Sequence, residues 1–194
     1  MRRIAIFRII NCKPGANNKL WVKKMVILFS GRKSTVEKEI IEILCGCGAN
    51  YISDRTVAAN DGCFTIVSEY KKTDLKLKSG IAVFIDDTDR FDNQIFPDGI
   101  IGICEDTNLK ALEIFKSGNI PVISCGMNAK NTITFSSLNS ASVLASLQRS
   151  LTDRAGNSVE SGEFKIRLTK AYTPFAVMAS AAVLLLNGIV PEEF

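Results

Sequence analysis

Residues 30–35 read Ser-Gly-Arg-Lys-Ser-Thr and stand directly between an apolar run, Met-Val-Ile-Leu-Phe, and a segment with helical periodicity. A strand, a glycine turn and a helix start in that order suit an anion. The freed backbone amides and the positive helix end face it, a lysine neutralises its charge, and a hydroxyl is available to a phosphate-bound Mg²⁺. Gly31, Arg32, Lys33, Ser34 and Thr35 are therefore the expected phosphate- or nucleotide-binding residues. The full phosphate-loop pattern GxxxxGK[ST] is not met, because its first glycine is absent and Arg32 stands where the second would be. Farther along, Ile-Ala-Val-Phe-Ile ends in Asp86 and Asp87, a strand that delivers carboxylates to its own end. Asp86 and Asp87 are the expected Mg²⁺ ligands, and a phosphate-bound metal would join them to the Lys33 turn across one rim of a sheet. As plain loop residues, Lys33 and the aspartates (with Asp89) would be solvated charges.

Six cysteines and no histidine narrow the chemistry. Without histidine there is no Ser-His-Asp triad, no imidazole acid or base, and no His-containing zinc site. Cys12, Cys45, Cys47, Cys63, Cys104 and Cys125 contain no CxxC pair, and the last two fall in apolar runs, so they read as reduced core thiols of a cytoplasmic protein. The net charge of +4 is unevenly placed: seven basic and no acidic residues lie in residues 1–24, leaving 17 basic against 20 acidic in the rest. A body at −3 argues against a nucleic-acid footprint. The apolar stretch at 175–190 is too short for a comfortable membrane span and contains Asn187 and Gly188, so a buried helix is expected and no membrane span.

The elements that would position these residues follow from periodicity. Val36, Ile40, Ile43 and Leu44 recur at helical spacing, with Glu37, Lys38, Glu39 and Glu42 assigned to the solvent face. Strands are expected at 63–70, 81–85, 99–104 and 120–124, with a helix at 109–115, while residues 49–62 read as polar and glycine-punctuated. Apolar runs alternating with helices predict an α/β fold, a mostly parallel sheet with helices on both faces, P-loop or Rossmann-like in its three layers. Ligands of such sheets bind at the carboxyl ends of the strands, where residues 30–35, 86–89 and 105–108 all fall. Strands at 132–137, 142–151 and 164–168 predict an antiparallel extension near the C-terminus, with turn chemistry at 152–156. A last helix over 174–186 has Pro174 in its first turn and Gly188 past its end. Residues 25–194 form one domain in this reading. Residues 1–24 are a basic extension, either ahead of a natural start at Met25 or an additional edge strand over 4–10.

From Asp98 onward the order of parts resembles the latter half of the central, ATP-binding domain of the Mur ligases. The parts are a strand ending in Glu105-Asp106, the helix at 109–115, Val-Ile-Ser-Cys-Gly126, the small antiparallel section, and an Ala-rich helix running to Leu-Asn-Gly-Ile189. The turn at 30–35 is similar to the family's TGTNGKT[TS] with two residues lost. The resemblance implies ATP and Mg²⁺ as ligands. It also implies departures: where the family carries His-Asn-x-x-Asn before the Ala-rich helix, this chain has Tyr172, Thr173 and Ala176. Ligation needs ATP, metal and both substrates held in line by three domains, and the two flanking domains have no room here. The expectation is a non-ligating nucleotide- or phosphate-binding accessory or regulatory protein. A small Mg²⁺-dependent ATPase or phosphotransferase and a ligand-free module that binds a protein partner or forms a homodimer are the alternatives.

Overall fold

The computed structural model describes residues 24–31, 34–60, 62–86, 89–139 and 141–194. The proposed extension, with its edge strand at 4–10, lies outside them except for Lys24, which opens the first strand instead of closing the extension. The strands are β1 (Lys24–Phe29), β2 (Asn50–Ile52), β3 (Val57–Ala58), β4 (Phe64–Glu69), β5 (Gly80–Phe84) and β6 (Ile100–Glu105). They continue as β7 (Val122–Cys125), β8 (Ile133–Leu138), β9 (Ser142–Leu147), β10 (Leu151–Thr152), β11 (Ser158–Val159) and β12 (Gly162–Arg167). The helices are α1 (Thr35–Gly46), α2 (Leu109–Ser117) and α3 (Pro174–Leu186).

Among the described residues ten strands form one sheet in the order β12-β9-β8-β7-β6-β5-β1-β4-β2-β3. From β2 across to β8 the neighbours are parallel; β3 at one edge and β9 and β12 at the other run antiparallel. The fold is thus α/β with the expected antiparallel extension. Alternate residues of β1 enter different cores: Val26 and Leu28 join Ile40, Leu44 and much of α3 on one face, whereas Ile27 and Phe29 join Ala111 and Phe115 of α2 on the other. This two-sided burial is why β1, β5 and β6 are continuous apolar runs, as covered parallel strands require. α1 and α3 pack against each other on the first face, and Phe175 through Leu186 are all buried. Such a helix has no polar stripe because no side of it meets water.

Three local readings change. Residues 49–62 hold the short strands β2 and β3, fixed by Asn50, whose Oδ1 accepts from the Asn60 N–H (2.8 Å). The strand expected over 142–151 stops at Leu147: the Gln148 N–H makes one last bond to the Thr132 carbonyl (2.8 Å), and Gln148, Arg149 and Ser150 are exposed. The turn after it belongs to the small hairpin β10–β11, where Asp153 Oδ1 accepts from the N–H groups of Ala155 and Asn157 (both 2.8 Å). No helix among the described residues is long and apolar enough to cross a membrane.

The second core depends on a missing side chain. A Cβ on Gly102 of β6 would lie 2.7 Å from ring atoms of Phe115, so Gly102→Ala should cost about 1–3 kcal/mol in urea unfolding by overpacking. Burial pushes the Cys104 thiol from an ordinary 9.0 up to about 12, with Asp106 and Glu105 adding to the shift, and pushes the fully buried Cys125 well up. Because these folded-state values lie above the unfolded one, the protonated thiols stabilise the fold fully below about pH 9. That stabilisation is lost as pH rises toward 12. Iodoacetamide at pH 8 should leave Cys104 and Cys125 unmodified in the native protein and label both in urea, read by peptide mass.

Candidate functional site

β1 and β5 lie side by side in parallel register, Phe29 opposite Phe84, and the Ile85 N–H donates to the Phe29 carbonyl (3.0 Å). The chain leaves β1 through α1 to β2, on the β4 side of β1, while β5 leads on to β6 on the other side, which makes the β1/β5 ends the point where strand order reverses. Just beyond these ends the Gly31 N–H donates to Asp86 Oδ2 (2.5 Å). Two of the expected site residues are thereby brought together, in an arrangement the sequence did not suggest: the carboxylate sits on an amide that the phosphate reading reserves for a ligand. Opposite charge on a backbone N–H near a helix start is a favourable contact.

Ser34 takes the N-cap of α1, and its Oγ accepts from the Glu37 N–H (3.4 Å); Thr35 begins the helix and is exposed. Arg32, Lys33 and Asp87 lie outside the described residues. Among the described residues no group of three or more His, Cys, Asp or Glu is arranged to hold a metal ion.

Glu37, expected on the solvent face, is instead 4% exposed, and its Oε1 has no hydrogen-bond partner. It stands at the third helical position of α1. Tyr70 is beside it: burial first, with the Glu37 carboxylate adding and a Ser68 hydrogen bond opposing, pushes the phenol up to about 12. The Ser68 hydroxyl is also within 3.3 Å of the Tyr51 hydroxyl. A signal for this placement was present, since Ser34-Thr-Val-Glu37 has the spacing of a capping box, whose acid folds back over the helix start. A buried carboxylate oxygen without a donor is costly.

The open space lies one step along the rim. A cleft of about 840 Å³ spans the ends of β6 and β7 and the starts of α1 and α3. Glu105, Asp106 and Asn128 give it a polar side, and Val36, Phe175 and Met178 an apolar one. Asp106 is held firmly: its N–H donates to the Cys125 carbonyl (2.9 Å), and its Oδ2 accepts from Asn131 Nδ2 (2.7 Å). Gly126 permits this approach, because a Cβ there would lie 2.5 Å from Asn131 Nδ2 and 2.6 Å from Asp106 Oδ1.

The far wall is set by α1. Thr173 has N-cap backbone geometry for α3 (φ −64, ψ 142) but does not cap it with its side chain. Its N–H and its hydroxyl both donate to Glu39 Oε2 (2.9 and 2.6 Å), and Lys170 Nζ donates to Glu42 Oε2 (2.7 Å). The segment before α3 is strapped to α1, and the first turn of α3 meets the cleft with Pro174, which lacks an N–H, and no side-chain cap. Of the three positions matched to His-Asn-x-x-Asn, Tyr172 reaches Glu42 Oε1 (3.5 Å), Thr173 is engaged by Glu39, and Ala176 is buried. The arrangement can hold a small molecule with a polar group at the acids and an apolar body against Val36, Phe175 and Met178. Glu105 and Asp106 line this cleft, whereas the sequence reading centred the site on Lys33 and Asp86.

Gly126→Ala should separate Asp106 from Asn131, cost about 1–3 kcal/mol in urea unfolding, and reshape the cleft. Serine is expected to be no better tolerated, since it adds the same Cβ. No protein-family model and no curated protein matches this chain.

Proposed function

We propose that this chain is a Mur-ligase-like domain that binds a nucleotide or another phosphorylated small molecule without ligating it, and serves as an accessory or regulatory protein. The observation that carries the reading is continuity. The first turn of α1, immediately after residues 31–34, supplies Val36 to the wall of the 840 Å³ cleft, so a phosphate at the turn and an apolar or aromatic body in the cleft belong to one ligand. That volume falls within the range usual for small-molecule sites, about 300–1,000 Å³.

The donor set suits a phosphate-bound Mg²⁺ better than a protein-caged one. Mg²⁺ keeps several waters and takes one or two carboxylates beside the ligand's oxygens, and Asp86 at the end of β5 would be such a carboxylate. When bound, the ion would neutralise phosphate charge. The residues of this chain would do the rest: the Gly31 amide and Lys33 orient the phosphate, and Val36, Phe175 and Met178 exclude water from the body of the ligand. A lack of ligation is supported by Tyr172, Thr173 and Ala176 at the matched positions, two of them already committed to α1.

Isothermal titration with ATP and Mg²⁺ tests the reading. Heat of binding is expected, together with a rise in thermal stability worth about 2.7 kcal/mol at a ligand concentration one hundred times Kd. Lys33→Ala should abolish both. An absence of heat and of any thermal shift at millimolar ATP overturns the proposal.

A further inference from the structure

We infer that Asp86 is an internal anion of the Gly31 amide at the end of β1, so that a phosphorylated ligand must displace this carboxylate before it reaches that amide. The inference rests on the nucleotide- or phosphate-binding reading above and states how that same site is controlled. The contact is fixed by the sheet: β1 and β5 are paired from Val26 opposite Ile81 to Phe29 opposite Phe84, and the Ile85 N–H continues the ladder to the Phe29 carbonyl. Asp86 therefore follows the last ladder bond directly, and Oδ2 arrives 2.5 Å from the Gly31 nitrogen. Glycine leaves room for it, since a Cβ at residue 31 would already lie 3.1 Å from that oxygen.

Two further groups mark the turn as unfinished. Ser30, next to the amide, is fully buried and its Oγ has no partner, and the Oε1 of buried Glu37 in the first turn of α1 has none either. Asp86 thus holds the Gly31 amide, three residues ahead of the N-cap Ser34, before any ligand does. A free phosphate arriving there loses the attraction of the amide, already spent on Asp86, and meets like charge. Removing the Asp86 side chain should free the amide as well as remove the charge, and the Gly31 amide resonance separates the two effects.

Metal-free binding of inorganic pyrophosphate and of ATP, with EDTA present, reads the competition directly. Asp86→Ala should bind both at least about tenfold more tightly than the wild type, the scale of one hydrogen bond to a charged group. Asp86→Asn, which keeps an oxygen acceptor but no charge, should fall between them. In ¹⁵N-labelled protein the Gly31 amide proton, carried downfield by the carboxylate, should move upfield in Asp86→Ala. In the wild type it should move on addition of pyrophosphate. If the wild type binds ATP with Mg²⁺ but Asp86→Ala and Asp86→Asn bind metal-free anions no more tightly, the inference falls and the binding role stands. If Asp86→Ala binds and the wild type does not, even with Mg²⁺, the internal anion stands and the native binding role falls. If none binds under any condition, both are overturned. A Gly31 resonance unchanged by Asp86→Ala also removes the inference.

Discussion

The parallel pairing of β1 with β5, buried from both sides, is the constraint on which the rest of the rim depends. Once Val26–Phe29 are locked against Ile81–Phe84, the residues that follow each strand have little choice of neighbour, and Gly31 meets Asp86. The lock is hydrophobic in origin. Phe29 stacks on Phe84 with ring centroids 4.8 Å apart, and Phe91 packs edge-on to both. On the opposite face Val26 and Leu28 are closed over by α1 and α3. Apolar burial of this kind has no directional preference of its own, and the backbone ladder turns it into a fixed register at which a single carboxylate and a single amide coincide.

The helices extend that order to the cleft. α1 is the common element: its first turn supplies Val36 to the cleft wall, its apolar side packs on α3, and Glu39 and Glu42 hold the segment that leads into α3. Because Thr173 is drawn to Glu39, it does not cap the helix it precedes, and the start of α3 faces the cleft with its own positive end uncapped by a side chain. The salt bridge of Lys170 with Glu42 is exposed and such pairs add little stability; its effect is to position a wall. Gly126 does the same for the other wall by letting Asp106 and Asn131 close up beneath it.

Seen together, the turn and the cleft divide the work that a ligand site needs. At the end of β1 the Gly31 amide is already taken by Asp86. The cleft has space and an apolar wall, and Asp106 in it is held by backbone and amide contacts. In the proposed reading a ligand with a charged end and a bulky body would use both, and would compete with the carboxylate on Gly31.

Much of the frame was legible in the chain. The apolar runs of β1, β5, β6 and β7, the periodicity of α1 and α2, and the limits of α3 between Pro174 and Gly188 are local consequences of burial, capping and turn chemistry, which neighbouring residues dictate among themselves. So was the gathering of residues 30–31, 86 and 105–108 at strand ends, because parallel strands share one rim. The short strands β2 and β3 were not, since two or three residues carry no period and need Asn50, Asn60 and β4 to form. Nor were the burial of Glu37, the contact of Asp86 with Gly31, or the cleft. Each arises between residues far apart in sequence, where side chains converge only after the register of the sheet and the packing of α1 on α3 are set. The sequence by itself determined which elements form and which polar residues reach the rim. Tertiary structure alone decided which of them touch and where space is left, because distance across a fold is fixed by packing and not by spacing along the chain.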